Sequence, residues 1–217
     1  MNSLHILYQD QYYISIDKPS GLLTIPDGYD RNLPNLKSML IDEFGSVWTV
    51  HRLDKETSGV IIFALSADAH KKLSVEFEER KIIKEYRALI TGVLDSKNVN
   101  VALPLRVNGD RRHRTVVDQV NGKPSFIVIN GLRSHGSFYA ISACSYIGYT
   151  HQIRAHLTAI DHPIINDNLY GKSSTAQTMH PARLMLHALK ISFLHPFLQL
   201  PIEIISPIPS DLTYLLD

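Results

Sequence analysis

The sequence predicts an α+β fold built on a mixed, largely antiparallel sheet flanked by helices and loops. Three observations predict it. Short β-prone runs outnumber helical stretches, and no regular strand–helix–strand alternation runs through the chain. One run, Val60 to Leu65, is apolar without interruption, as in a central strand covered on both faces.

The elements follow in order. Leu4 to Tyr8 and Tyr12 to Asp17 flank a polar Gln9-Asp10-Gln11, the pattern of a hairpin. Pro34 to Phe44 reads as a helix, with Pro at its start, apolar Leu36, Met39, Leu40 and Phe44, and Gly45 as its stop. Ser66 to Arg80 reads as a second, capped by Ser66 and burying Leu73 and Phe77 at i, i+4 spacing. Tyr86 to Val93, Phe126 to Ile129, Phe138 to Tyr146 and Met185 to Phe193 are further strands, and His151 to Ile160 is a short amphipathic helix. Asn108-Gly109 and Asn121-Gly122 mark turns in the most loop-like segment, Asn108 to Lys123. The Pro-rich, apolar tail after Pro196 predicts a closing strand and loops.

With 217 residues, 44% of them hydrophobic and 20% charged, the chain is a single domain, or one domain of two lobes. That composition excludes a disordered or collagen-like chain. No run approaches the ~18 apolar residues of a membrane span, and the N-terminus has no secretory pattern. Cys144 is the only cysteine, which removes intramolecular disulfides and multi-cysteine metal clusters. A cytoplasmic enzyme or binding protein is the expectation.

Charge is unevenly placed. Residues 1–85 carry 10 Lys and Arg against 13 Asp and Glu, whereas residues 86–202 carry 12 against 5. An excess of +7 over that stretch suits a surface that meets a polyanion, and equally a scatter of solvated charges.

Three constellations can carry chemistry. His51-Arg52-Leu53-Asp54-Lys55-Glu56-Thr57-Ser58-Gly59 directly precedes the apolar strand. Asp54 reads there as a reactive carboxylate on a scaffolded loop, or as a turn cap or surface ion-pair member. Gly148 to Leu157 places His151 and His156 about 140° apart on a helix, which disfavours a shared metal. Ile153 and Leu157 form its core stripe, and Arg154 points elsewhere, as a solvated residue or a catalytic partner. Lys84-Glu85-Tyr86-Arg87 opens a strand, with Tyr86 as packing or as a site residue.

Together these blocks closely resemble the RluA family of RNA pseudouridine synthases, in order and over nearly the whole chain. Lys18-Pro19-Ser20-Gly21-Leu22 resembles the family's opening element, His51 to Gly59 its aspartate motif, and Lys84-x-Tyr86 the element of its active-site tyrosine. Thr150 to Leu157, His162-Pro163-Ile164, Asp167-x-x-Tyr170-Gly171, Arg183 to Ala188 and His195-Pro196 complete the match. Two departures stand out: Tyr149 where the family usually has Arg, and Asn166 where it usually has Gly.

The resemblance implies a pseudouridine synthase fold with its active-site cleft between two lobes. It implies one catalytic domain over residues 1–217 without the N-terminal S4 domain of many relatives. The implied activity is isomerisation of uridines in structured RNA, a tRNA or a 23S rRNA stem-loop. The implied catalytic residues are Asp54, with Arg154 as its cation and Tyr86 stacking on the base and assisting proton loss. Arg52 is implied to brace the gap left by an extruded uridine, and Arg111, Arg112 and Arg114 are candidates to clamp phosphates. The reaction changes no oxidation state and loses no group, so neither cofactor nor metal is expected. A monomer is expected. Rival readings are an idle RNA-binding protein on the same fold and a metal-dependent hydrolase using His51, Asp54, His151 and His156. A glycosidase would need a second, opposed carboxylate in a comparable motif.

Overall fold

The computed structural model describes residues 4–171 and 183–215. In chain order the elements are β1 (Ile6–Gln9), β2 (Tyr13–Lys18), α1 (Leu36–Phe44), β3 (Trp48–Thr49), β4 (Ser58–Ala64), α2 (Ala67–Glu78) and β5 (Ile83–Thr91). There follow β6 (Asn98–Val101), β7 (Leu105–Arg106), β8 (Val116–Val117), β9 (Ile127–His135), β10 (Phe138–Ser145), α3 (Gln152–Ala159), β11 (Leu186–Leu194), β12 (Pro201–Ile205) and a terminal 3-10 segment (Ser210–Leu215). The chain forms two compact units, and the boundaries fall inside β5, near the start of β11 and just after β12.

The first unit comprises the residues through Lys84 with Ala188–Pro207. β1 and β2 pair antiparallel, as the hairpin pattern predicts, and β2 continues antiparallel onto β4 from Tyr13↔Ala64 to Lys18↔Gly59. β4 lies between β2 and β11, with β12 antiparallel on β11. All seven residues of β4 are buried, which is why its sequence shows no polar alternation. α1 starts two residues later than its proline suggests, because Asn35 accepts the Ser38 N–H at 2.9 Å as the cap. Gly45 ends it at φ 79°, a region costly for any residue with a β-carbon. Ser66 caps α2 as expected. Leu73 is fully buried, but Phe77 is only partly so and stacks on His51 instead.

The second unit comprises Glu85–His187 and the residues from Ile208. Its strands run β5-β10-β9-β6, with β9 antiparallel to both neighbours. β9 extends well past the predicted Ile129, through a polar stretch that its partner β10 carries. Its core gathers Ala88, Leu89, Ile90, Ile127, Ile129, Ile141, Ile153, Leu157, Met185 and Leu212. Each Ile or Leu fully buried there contributes roughly 1.5–3 kcal/mol. α3 departs from expectation: Gln152 through Leu157 are all buried, so it has no polar face over its first six residues. Gln152, Arg154 and the Nε2 of His156 find protein partners, which periodicity cannot reveal. The short β7–β8 hairpin carries the loop from 107 to 115.

Candidate active site

Asp54 is half-buried on the connection between β3 and β4. That connection is pinned at Leu53, Lys55 and Glu56 by Lys18, at the end of β2, and by the segment that follows it. Lys18, fully buried, donates from Nζ to the carbonyls of Pro19 (2.9 Å), Leu22 (2.8 Å) and Lys55 (3.0 Å). Gly21 N–H also donates to Lys55 O, Ser20 Oγ to Glu56 O, and Thr24 Oγ1 to Leu53 O at 2.9 Å. The Leu53 N–H returns to Thr24 Oγ1, and Thr57 N–H closes a turn on Asp54 O. A carboxylate on such a loop keeps its place without reorganising.

His51 belongs to the same scaffold. Where β3 leaves β4, its Nε2 accepts the Ile62 N–H at 3.2 Å, so the ring is neutral with its proton on Nδ1. Burial, with the Lys84 ammonium nearby, pulls its pKa down to about 3. Lys84 is itself buried and lies over the Phe77 ring, and burial lowers its pKa to about 8. The folded His51 ring thus takes its proton near 3, and the unfolded one near 6.5. Its stabilising contribution is whole above pH 6.5 and is lost progressively as pH falls towards 3. His51→Gln keeps an acceptor but does not titrate, so its thermal midpoint should fall less than wild type's between pH 6.5 and 4. Parallel midpoint curves would contradict this role.

Gly59 ends the motif at φ 114°, and a β-carbon there would sit 2.2 Å from the Ala188 carbonyl oxygen. Only glycine admits that approach of backbone to backbone. Arg52 is exposed.

In the second unit the arginine of the third motif is not solvated. Arg154 is 6% exposed and makes a two-pronged pair with Asp167, Nε to Oδ2 at 2.7 Å and Nη2 to Oδ1 at 2.8 Å. Asp167 Oδ1 also accepts the N–H groups of Leu169 and Tyr170, both at 2.9 Å. The turn therefore shapes the carboxylate and the carboxylate holds the guanidinium. Asn166, before it, has φ 59°, and Asn tolerates this left-handed region better than most residues with a β-carbon. The departure from Gly is thus accommodated. Tyr149, the other departure, packs on a small cluster of Leu105, Ala155 and Tyr170.

Tyr86 lies on β5, partly buried against the core of its unit. The three hairpin arginines are unequal. Arg111 and Arg112 are exposed. Arg114 is half-buried, with Nε on Asp110 Oδ2 at 2.6 Å and Nη1 on Leu169 O at 3.3 Å. Asp110 also accepts the Arg112 and Arg114 N–H groups at 3.0 Å, and these bonds from Arg114 hold its carboxyl below the usual range. Arg114 is therefore a strut of the loop as well as a cation.

The histidines of the hydrolase reading have structural partners. His156 is fully buried, with Nε2 donating to Leu103 O at 3.0 Å, and burial lowers its pKa. His195, which that reading did not include, gives its Nε2 to Asp10 at 2.9 Å, while its Nδ1 accepts from Phe197 and Leu198 N–H. Arg183 makes a two-pronged pair with Asp211. In the first unit Lys18 and Thr24 hold the Asp54 loop, and in the second Asp167 and Tyr170 hold Arg154 and the 107–115 loop; none of the four had been assigned a role from sequence. The signal of Lys18, Asp167 and Tyr170 was membership of the motifs, whereas Thr24 lies outside them; nothing local marks a buried Lys or Asp as partnered.

Comparison with known proteins agrees with this anatomy. Residues 12–159 match the RNA pseudouridylate synthase family model. The chain is 35% identical, over 90% of its length and 89% of the relative's, to the dual-specificity RNA pseudouridine synthase RluA of Pasteurella multocida. It is 36% identical to that of Haemophilus influenzae, covering 89% of this chain and 88% of the relative. Among solved structures, human RNA pseudouridylate synthase domain containing 1 superposes with TM-score 0.79 at 27% identity, covering 98% of this chain and 86% of that one. Human RNA pseudouridylate synthase domain containing 4 gives 0.77 at 23% identity, which shows the shared fold. With its motifs in order and this likeness along nearly its whole length, the chain belongs to the RluA family of RNA pseudouridine synthases.

Proposed function

We propose that the chain isomerises specific uridines in tRNA, in a 23S rRNA stem-loop, or in both, with Asp54 as the catalytic carboxylate. The observation that carries this reading is the rigid seating of the Asp54 loop by Lys18, Gly21 and Thr24. The reaction breaks the N1–C1′ bond, turns the uracil over and forms a C5–C1′ bond. It needs one ionised carboxylate at the ribose, as nucleophile at C1′ or as base at C2′. Tyr86 offers an aromatic face for the detached base and a phenol to assist loss of the C5 proton. Arg154 supplies the cation of the reaction, already oriented by Asp167. The target uridine has to leave its stack, at a cost of a few kcal/mol, and Arg52 braces the gap. Because atoms and electrons balance within the nucleotide, the chemistry requires no cofactor or metal. The protein acts as a cytoplasmic monomer in this reading.

Purified protein incubated with tRNA and 23S rRNA transcripts carrying 5-tritiated uridine is expected to release tritium to water from at least one of them. No release from either class would overturn the substrate assignment.

Exposed arginines on the 107–115 loop are the proposed phosphate-binding groups. Replacing Arg111 and Arg112 by Ala is expected to weaken RNA binding. The log–log salt slope should flatten by about 0.7–0.9 for each phosphate that is no longer neutralised. An unchanged slope would place the RNA elsewhere on the surface.

A further inference from the structure

We propose that Tyr170 is a positioning residue that ties the arginine-rich hairpin loop to the guanidinium of Arg154. Seating of RNA on that loop and placement of Arg154 are thereby coupled. The inference rests on the proposed roles of Arg154 in the reaction and of the hairpin in RNA binding.

The loop is exposed at Arg111, Arg112 and His113, but it re-enters the protein at Thr115, which is 1% exposed. There the Tyr170 hydroxyl brackets one residue of backbone: it accepts the Thr115 N–H at 2.8 Å and lies 3.1 Å from the Thr115 carbonyl. Thr115 Oγ1 donates in turn to Thr150 O at 2.6 Å, just before α3. The loop's cations reach the same turn. Arg112 donates to Asn168 O, and Arg114 donates to Leu169 O while its guanidinium lies 5.7 Å from the Tyr170 ring centroid. Arg154 lies 5.1 Å from the centroid of that same ring. Asp167, at the other end of the turn, grips its Nε–Nη2 edge.

The start of α3 is fixed by the same hydroxyl. His151 Nδ1 is 3.3 Å from it, and the two rings meet edge to face at 5.6 Å. His151 holds φ 56°, ψ 20°, a left-handed conformation that persists only where its surroundings impose it. Arg154 is three residues further on. Each step from loop to Thr115 to Tyr170 to Arg154 is a direct contact, so a shift of the loop on binding phosphate passes to the guanidinium. A misplacement of about 1 Å in a reacting site costs up to ~100-fold in rate.

Coupling of this kind has to be measured as coupling. Single-turnover rates at saturating enzyme, with RNA Kd, are compared for wild type, Arg154→Ala, Arg114→Ala, Tyr170→Phe and Tyr170→Leu, after thermal melts for each. Tyr170→Phe, which keeps the ring but removes the hydroxyl's hold on the Thr115 backbone, is expected to be about tenfold slower with Kd within about twofold of wild type. Tyr170→Leu, which removes the ring too, is expected to be about 100-fold slower. Arg114→Ala should lose both rate and affinity, and it decides the matter if the Tyr170 variants do not fold. Combined with Arg154→Lys, Tyr170→Phe should cost less than its own factor, because the group it positions is already altered. A wild-type rate in Tyr170→Phe, a loss confined to Kd, or fully multiplicative losses would overturn the coupling. If folded Arg154→Ala keeps the wild-type rate, the role of Arg154 falls, and the coupling falls with it. If Arg154→Ala is slow and Tyr170→Phe is not, the coupling alone falls.

Discussion

Asp54→Asn is expected to fold, to bind RNA with near wild-type affinity, and to form no pseudouridine. The substitution is nearly isosteric, and the backbone on either side is held by Thr24, Lys18 and Gly21 through groups that do not involve the Asp54 side chain. Its stability should therefore stay within about 1 kcal/mol of wild type. The chemistry has no such tolerance, because a neutral amide neither attacks C1′ nor removes a proton. By analogy with removal of a nucleophile from other enzymes, the loss in rate is on the order of 10⁴-fold or more. Tritium release in single turnover measures it, and filter binding on the same RNA separates chemistry from affinity. Turnover by Asp54→Asn within tenfold of wild type would remove Asp54 from the catalytic role.

Arg154→Ala is expected to lose about 3–5 kcal/mol of stability. It would leave the Asp167 carboxylate, whose side chain is 0% exposed, without its cation. Breaking a buried pair from one side costs about 3–5 kcal/mol, which for a chain of this size lowers Tm by on the order of 10 °C. Asp167→Ala should be comparably harmful, since it strands the guanidinium and two backbone N–H groups. Asp167→Asn, which keeps the Oδ1 acceptor, should be milder. Replacing both partners by apolar residues of similar volume should cost clearly less than the two single losses added together. Strictly additive losses in denaturant melts would show that the pair carries no coupling.

How far the sequence foretold this molecule depended on what kind of signal each part leaves. β4 was legible because a strand buried along its length needs an apolar run, and α1 and α2 because Pro34 or Ser66 and the apolar spacing mark them locally. The length of β9 was not, since its later residues take their place from pairing with β10, a long-range fact. α3 was read as amphipathic because Gln, Arg and His count as polar. In the fold Gln152 is satisfied by Phe126 O, Arg154 by Asp167 and His156 by Leu103 O. A buried polar side chain becomes predictable only when its partner is known, and these partners lie from 13 to 53 residues away in the chain. The same reason hid Lys18, whose ammonium is satisfied by three carbonyls, one of them 37 residues distant. The motifs nonetheless pointed to the right neighbourhoods, because Lys18, His51, Asp167 and Tyr170 all stand within them. What the pattern lacked was the division of labour. His51 holds a strand amide, Gly59 admits a backbone, and Arg114 braces a loop that Arg111 and Arg112 present to solvent.

The most direct test of the account is add-back to RNA from cells lacking this gene. Pseudouridines are mapped at nucleotide resolution in that RNA before and after incubation with purified protein. Wild-type protein is expected to restore one or a few defined sites, in tRNA, in 23S rRNA or in both, and folded Asp54→Asn to restore none. Restoration by Asp54→Asn, or no site restored by the wild type, would contradict it.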